Sequence, residues 1–147
     1  MPVLFKLHKL VRTYKDNRQD PANNKWFARA IHVATADTDK LADQISYSTT
    51  VTPADCRAVL KALGKVLPDM LQNGFIVKLD NIGTFKLGIS CEGAETVNDF
   101  SIASNIKGAH VNFYPEYTID VATGKRIVKM TEGAKFSETP YNDVTRD

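Results

Sequence analysis

The chain has 147 residues, 43% of them hydrophobic, with 19 Lys and Arg against 17 Asp and Glu, so its formal net charge is only +2. That length and apolar content suit one folded domain with an ordinary core and exclude a chain kept disordered by self-repulsion. No apolar run approaches the roughly 18 residues of a membrane span, and the N-terminus is broken by charge and lacks the small-residue cleavage site of a secretory signal, so a cytoplasmic protein is expected.

The near-neutral total hides an uneven distribution. Residues 1–30 carry seven basic groups, Lys6, Lys9, Arg12, Lys15, Arg18, Lys25 and Arg29, against Asp16 and Asp20, a balance of +5. Residues 31–100 balance to −3 and residues 101–147 to zero. A basic N-terminal segment of this kind is either a polyanion-binding arm or a solvated hairpin kept soluble by its lysines. Cys56 and Cys91 stand 35 residues apart with no CxxC and no nearby histidine, the pattern of two reduced thiols.

In chain order, residues 3–12 alternate, with Val3, Phe5 and Leu7 on one side and Lys6 and His8 on the other, which is the period of a half-buried strand. The polar run 15–24 reads as a long loop. Trp26 to Val33 resumes the alternation with Phe27, Ile31 and Val33 facing one way, so the first third is a pair of strands. Asp37 then caps a short helix whose Leu41 and Ile45 share a side. Thr52-Pro-Ala-Asp55 is a stronger start signal, with a capping hydroxyl, a proline at the first helical position and a negative charge in the first turn. From there Cys56, Val59, Leu60, Leu63, Val66, Leu67, Met70 and Leu71 recur three and four apart until Asn73-Gly74 closes the helix. Pro68 removes a backbone hydrogen bond inside it, and a bend near 64–68 is expected.

After Gly74 the alternation returns. Phe75 to Leu79 is a strand, Asp80-Asn-Ile-Gly83 a tight turn, and Thr84 to Ser90 a second strand with Phe85, Leu87 and Ile89 inward. Residues 91–108 are a polar excursion. Val111 to Val121 alternates strictly, Ala122-Thr-Gly124 is a turn, and Lys125 to Met130 pairs back as the second strand of a hairpin. Residues 136–147 read as a flexible tail. This order is that of an α+β fold built on an antiparallel sheet.

Catalytic motifs are missing from the sequence. His8, His32 and His110 have no metal-ligand spacing, there is no nucleophile elbow, Walker loop or dinucleotide fingerprint, and Asp37, Asp39 and Asp43 are accounted for by a helix N-terminus. A protein that is not an enzyme is expected, with no cofactor, metal, small-molecule substrate or membrane partner.

The informative stretch is Val77-Lys-Leu-Asp-Asn-Ile-Gly-Thr-Phe-Lys-Leu87, centred on Ile82-Gly-Thr-Phe85 and preceded by the two helices. In that order and spacing, over residues 37–90 and again in the returning strand 110–118, the chain resembles the HU/IHF-like family of bacterial DNA-binding proteins. Its N-terminal strands bring it closer to the longer, histone-like HU-related subfamily. The resemblance implies a single HU-like domain over residues 1–135, with extra strands at 1–34 and the core at 37–121, forming an intertwined homodimer. It implies a nucleoid-associated architectural protein that binds double-stranded DNA, largely non-specifically, through phosphates, and takes part in DNA condensation.

If Phe85, Leu87, Val111 and Phe113 pack on the helices, strand alternation puts Lys78, Lys86, Asn112 and Tyr114 on the opposite sheet face, the one that family uses as a saddle. Lys107 and His110 then lie at the base of the arm, and Lys6, Lys9, Arg12, Lys15 and Arg18 supplement the saddle. The plain alternative is that these are solvated residues of a one-sided sheet. The chain also departs from the family pattern. The family's arm tip carries an Arg-Asn-Pro motif whose proline wedges between base pairs, whereas here no proline stands between Pro68 and Pro115, and residues 91–108 hold Glu92, Glu95 and Asp99 against Lys107. That acidic arm favours a rival reading, a structural or protein-interaction module on a dimeric HU scaffold with weak or no DNA binding.

Overall fold

A computed structural model describes residues 1–10 and 24–140. Arg12, Lys15, Arg18, nearly all of the loop expected over 15–24, and residues 141–147 of the expected tail lie outside the described residues. In chain order the elements are β1 (Val3–Lys9), β2 (Trp26–Ala30), α1 (Thr38–Ser48), α2 (Pro53–Gln72), β3 (Val77–Leu79), β4 (Gly83–Cys91), α3 (Ile102–Asn105), β5 (Ile106–Pro115), β6 (Tyr117–Ile119), β7 (Arg126–Val128) and β8 (Phe136–Glu138). The fold is α+β. Contacts divide it into two units, residues 36–132 and a discontinuous one of residues 1–35 with 133–147.

In the larger unit the helix signals act where the sequence puts them. The Asp37 carboxylate accepts the Lys40 backbone N–H at 2.9 Å and starts α1. The Thr52 hydroxyl accepts the Asp55 N–H at 3.3 Å and starts α2, with Pro53 in the first turn, where no backbone donor is needed. Arg57 ties the helices together: Nη2 donates to Asp43 at 3.2 Å, while Nε lies 2.7 Å from Asp39 but off the N–H axis, an ion pair without a hydrogen bond. α2 is helical on both sides of Pro68.

The side chains of α2 fall into two stripes at helical spacing. Cys56 and Leu71 are buried, with Leu60 and Leu67 half-buried between them, and α2 packs against α1, β3 and β4. The second stripe, Val59, Leu63, Val66 and Met70, is open to solvent, with Val59 65% and Val66 51% exposed. Among the described residues the only fully buried apolar side chains are Ala42, Cys56 and Leu71. The ordinary core expected from composition is therefore not closed within one copy of the chain.

β3, β4 and β5 form an antiparallel sheet in that order. Phe85 stands across from Val77 on one side and Phe113 on the other, the two rings tilted with centroids 4.8 Å apart. The β3–β4 turn needs its glycine. Gly83 has φ +155°, and a Cβ there would strike the Tyr114 carbonyl oxygen and come within 2.7 Å of the Phe113 ring.

The excursion differs from the flat reading of its sequence. β5 starts at Ile106, five residues before the alternation becomes readable at Val111, because Lys107-Gly-Ala-His110 offers no apolar period while its backbone still pairs with β4. Between the strands lie a 3-10 turn at Val97–Asp99 and the four-residue α3. Asn105 closes this cap: its backbone carbonyl accepts from the Glu92 N–H at 2.9 Å, its side-chain amide donates back to the Glu92 carbonyl at 3.2 Å, and its side-chain oxygen accepts from the Ser101 N–H at 3.0 Å.

The expected C-terminal hairpin is present as β6 and β7. Asp120 shapes its turn by accepting from the Thr123 hydroxyl at 2.6 Å and the Ala122 N–H at 3.1 Å, and Gly124 takes φ +67°. The run from Val111 to Val121 is two strands, broken at Pro115–Glu116.

The smaller unit departs from the sequence reading at its last strand. Its sheet has the order β2-β1-β8, and β8 pairs in parallel with β1, Val3 across from Phe136 and Phe5 across from Glu138. Residues 136–138 are thus a strand where the sequence reads as tail, and contacts group the N-terminal strands with the chain's last described segment. Three residues of strand carry too little alternation to be read, and a parallel partner more than a hundred residues away leaves no local signal.

Gly83→Ala is expected to cost about 2 kcal/mol or more, from positive-φ strain and the clash with Tyr114. Urea unfolding monitored by circular dichroism measures it, and a midpoint equal to that of the parent would remove the argument for the turn.

Candidate nucleic-acid interface

The register of the larger sheet decides which side chains stand together. Thr84 lies across from both Lys78 and Tyr114, Lys86 across from Asn112, and Gly88 across from His110. Directly opposed residues share a face, so Lys78, Lys86, His110, Asn112 and Tyr114 are on one side and Phe85, Leu87, Val111 and Phe113 on the other. The register agrees with the sequence alternation for Lys78, Lys86, Asn112 and Tyr114 against Phe85, Leu87, Val111 and Phe113, and it adds His110, expected at the arm base, to the first of these rows.

Groups on this face touch one another. The Lys86 ammonium lies 5.4 Å from the centre of the Tyr114 ring, a cation–π distance. His110 Nδ1 and the Ser90 hydroxyl are 2.9 Å apart. Gly88 leaves the space into which both neighbours lie: a Cβ there would be 2.5 Å from His110 Nε2 and 2.8 Å from Asn112 Nδ2. Ser90, Thr84 and Gly88 therefore belong to the site, although as small residues in a strand they carry no functional signal in the sequence.

Two of the expected lysines are otherwise engaged. Lys78 is 3.7 Å from Glu116 and 4.0 Å from Asp80. Lys107 is 3.2 Å from Glu92 and donates to the Ser104 carbonyl at 3.0 Å. Lys107 also sits at a bulge, where the register shifts between Ser90 and Cys91 and leaves it without a partner on β4. It stands outside the cross-strand rows, at the point where β5 leaves the excursion. Lys6 and Lys9 belong to the other unit, on opposite faces of its sheet, across from Arg29 and Trp26 respectively.

Glu116 holds the end of the sheet together. Its carboxylate accepts from the Asn81 backbone N–H and lies 3.4 Å from Lys129 Nζ, which also donates to the Asn81 side chain at 3.1 Å. Its own N–H donates to the Ile82 carbonyl at 3.1 Å. The Asn81 N–H first, then Lys129 and Lys78, hold the Glu116 carboxyl below the usual glutamate value, against a smaller opposing effect of burial. Among the described residues no three His, Cys, Asp or Glu side chains gather as a metal site, and no helix is long and apolar enough to cross a membrane.

Two helices leading through a glycine-tight turn into an antiparallel sheet with a polar outer face define an HU-like domain. The family described as "HU domain fused to wHTH, Ig, or Glycine-rich motif" (HU-HIG) matches residues 1–129, and the chain belongs to it. A crystal structure of a candidate bacterial DNA-binding protein from Bacteroides vulgatus ATCC 8482 shares the fold, with a TM-score of 0.57 and 11% identity over 92% of this chain. The match spans 47% of that protein, about half its length. No curated protein matches the chain.

Because the folded-state pKa of Glu116 is depressed, its contribution to stability is present above the ordinary glutamate value of 4.5 and is lost as pH falls through the folded value. Chemical unfolding at pH 7, 4.5 and 3 is expected to show a steeper acid-side loss for the parent than for Glu116→Gln. Equal slopes would remove Glu116 as the anchor of the turn.

Proposed function

We propose that the chain is an HU-like DNA-binding protein of the nucleoid, cytoplasmic and architectural, that contacts duplex DNA largely non-specifically through phosphates and performs no chemistry. One observation carries this reading: the paired rows of the β3–β4–β5 face hold Lys78, Thr84, Lys86, Ser90, His110, Asn112 and Tyr114, all able to donate hydrogen bonds, with no carboxylate among them. Such a surface offers a phosphate backbone donors at every row, with carboxylates only at the turn end beside Lys78, and it has little means of reading bases. Membership of an HU-domain family and the fold shared with a candidate DNA-binding protein support it. Lys86, held by the Tyr114 ring rather than by a carboxylate, is its principal cation.

A second reading, an interaction module with weak or no DNA binding, is favoured by the ion pairs that occupy Lys78 and Lys107. Titration of duplex DNA by fluorescence anisotropy at two salt concentrations separates the two. The DNA reading expects sub- to low-micromolar affinity that falls steeply with salt, and no binding at about 50 mM salt would leave only the module. Lys86→Ala is expected to weaken binding about equally for all sequences and to lower the slope of log affinity against log salt by about 1 for each copy bound.

We also propose that the open stripe of α2 is covered by a second copy, making the working form a homodimer. Leu63→Glu is then expected to yield a monomer in sedimentation and to abolish the concentration dependence of the parent's melting temperature. A parent that sediments as a folded monomer at micromolar concentration would reject the dimer.

A further inference from the structure

The sheet of the smaller unit is put together differently from the saddle. Its two long strands carry their apolar residues out of phase: Phe5 and Leu7 lie across from Ala30 and Ala28, while Phe27 lies across from His8 and Arg29 across from Lys6. One face therefore presents two adjacent cross-strand pairs, one cationic and one aromatic. Same-face positions along a strand are about 7 Å apart. The sequence reading set Phe27 on one side with Ile31 and Val33; the register shows that His8, Lys6 and Arg29 share that side.

Three features of this face are unusual for a merely solvated strand pair. Like charges directly opposed weaken a ladder, yet among the described residues neither Lys6 nor Arg29 has a carboxylate at ion-pair distance. The Phe27 ring lies tilted against His8, centroids 6.3 Å apart, and remains 39% exposed. Among the described residues this unit contains only strands, so it brings no helix of its own to either face.

We propose that this face binds single-stranded DNA, with a phosphate held between Lys6 and Arg29 and the adjoining unpaired base stacked on Phe27. The like-charge pair becomes favourable once a phosphate lies between its members, and the ring supplies a stacking surface that accepts any base. Duplex DNA keeps its bases stacked on one another and leaves Phe27 unused. A small anion would use the cations and ignore the ring. The pairing of both features selects an unpaired nucleotide, and it is independent of duplex binding by Lys86 and its neighbours.

The test is anisotropy titration of the full chain with a labelled oligothymidylate of about 20 nucleotides and with a blunt duplex of the same length. Phe27→Ala and Phe27→Leu, the second keeping apolar bulk without a π-face, are each expected to weaken oligothymidylate binding roughly tenfold and duplex binding less than about twofold. Phe27→Tyr keeps the parent affinity. The double variant Lys6→Ala with Arg29→Ala removes the hold on one phosphate and is expected to lower the single-strand salt slope by about 0.7. Circular dichroism establishes that each variant is folded. Parent-like oligothymidylate affinity in Phe27→Leu, equal losses on both DNAs, or no single-strand binding by the parent at about 50 mM salt would each overturn the proposal.

Discussion

The antiparallel ladder between β4 and β5 is the constraint on which the larger unit rests. It runs from Gly83 across from Pro115 to Cys91 across from Ile106. Strand side chains alternate with a period of two, so a slip of one residue would send Lys86 and Asn112 toward the helices and Phe85 and Phe113 into water. Two devices oppose that slip. Gly83 lets β4 start in close contact with the backbone of Tyr114, and Glu116 clasps the turn just before that start through the Asn81 N–H. The outer face is thus a product of the same register that makes the inner one.

The helices were legible because each carries its own punctuation. Asp37, Thr52 and Pro53 act within three residues of themselves, and the spacing of the α2 side chains repeats over several turns. The sheet faces were legible for the same reason, since alternation is local. What escaped was whatever depends on pairing at a distance. Phe27 faces the same way as Ile31 and Val33 in the sequence, but only the pairing with β1 shows His8 and Lys6 on that side. Lys107 shows nothing in the sequence of the bulge that leaves it without a partner on β4. Residues 136–138 look like tail because three polar-flanked residues have no period, and only their partner, β1, makes them a strand.

Composition misled in a related way. An apolar content of 43% promised a closed core, yet α2 divides its apolar side chains between an inner stripe and an outer one. Charge was equally redistributed: the low total does not describe the saddle, where carboxylates are absent from the rows but gather at the turn and the cap, clasping Lys78, Lys129 and Lys107. The surface that remains for a polyanion is set by which lysines have been spent on holding the fold.

The parallel pairing of β8 with β1 bears on how the chain is made. Unit 36–132 lies wholly between the two segments of the other unit, so during synthesis it emerges complete while the first strand still lacks a neighbour. β1 must keep one edge open until residue 138 has left the ribosome. A parallel strand that closes so large a loop comes late, because the entropy of closure is met before any contact rewards it. A nascent chain therefore carries an exposed β edge next to Phe5 and Leu7 until β8 arrives. The charged Lys6 and Lys9 on that strand, of the kind that blunt unpaired edges elsewhere, give it a means of waiting without joining another chain.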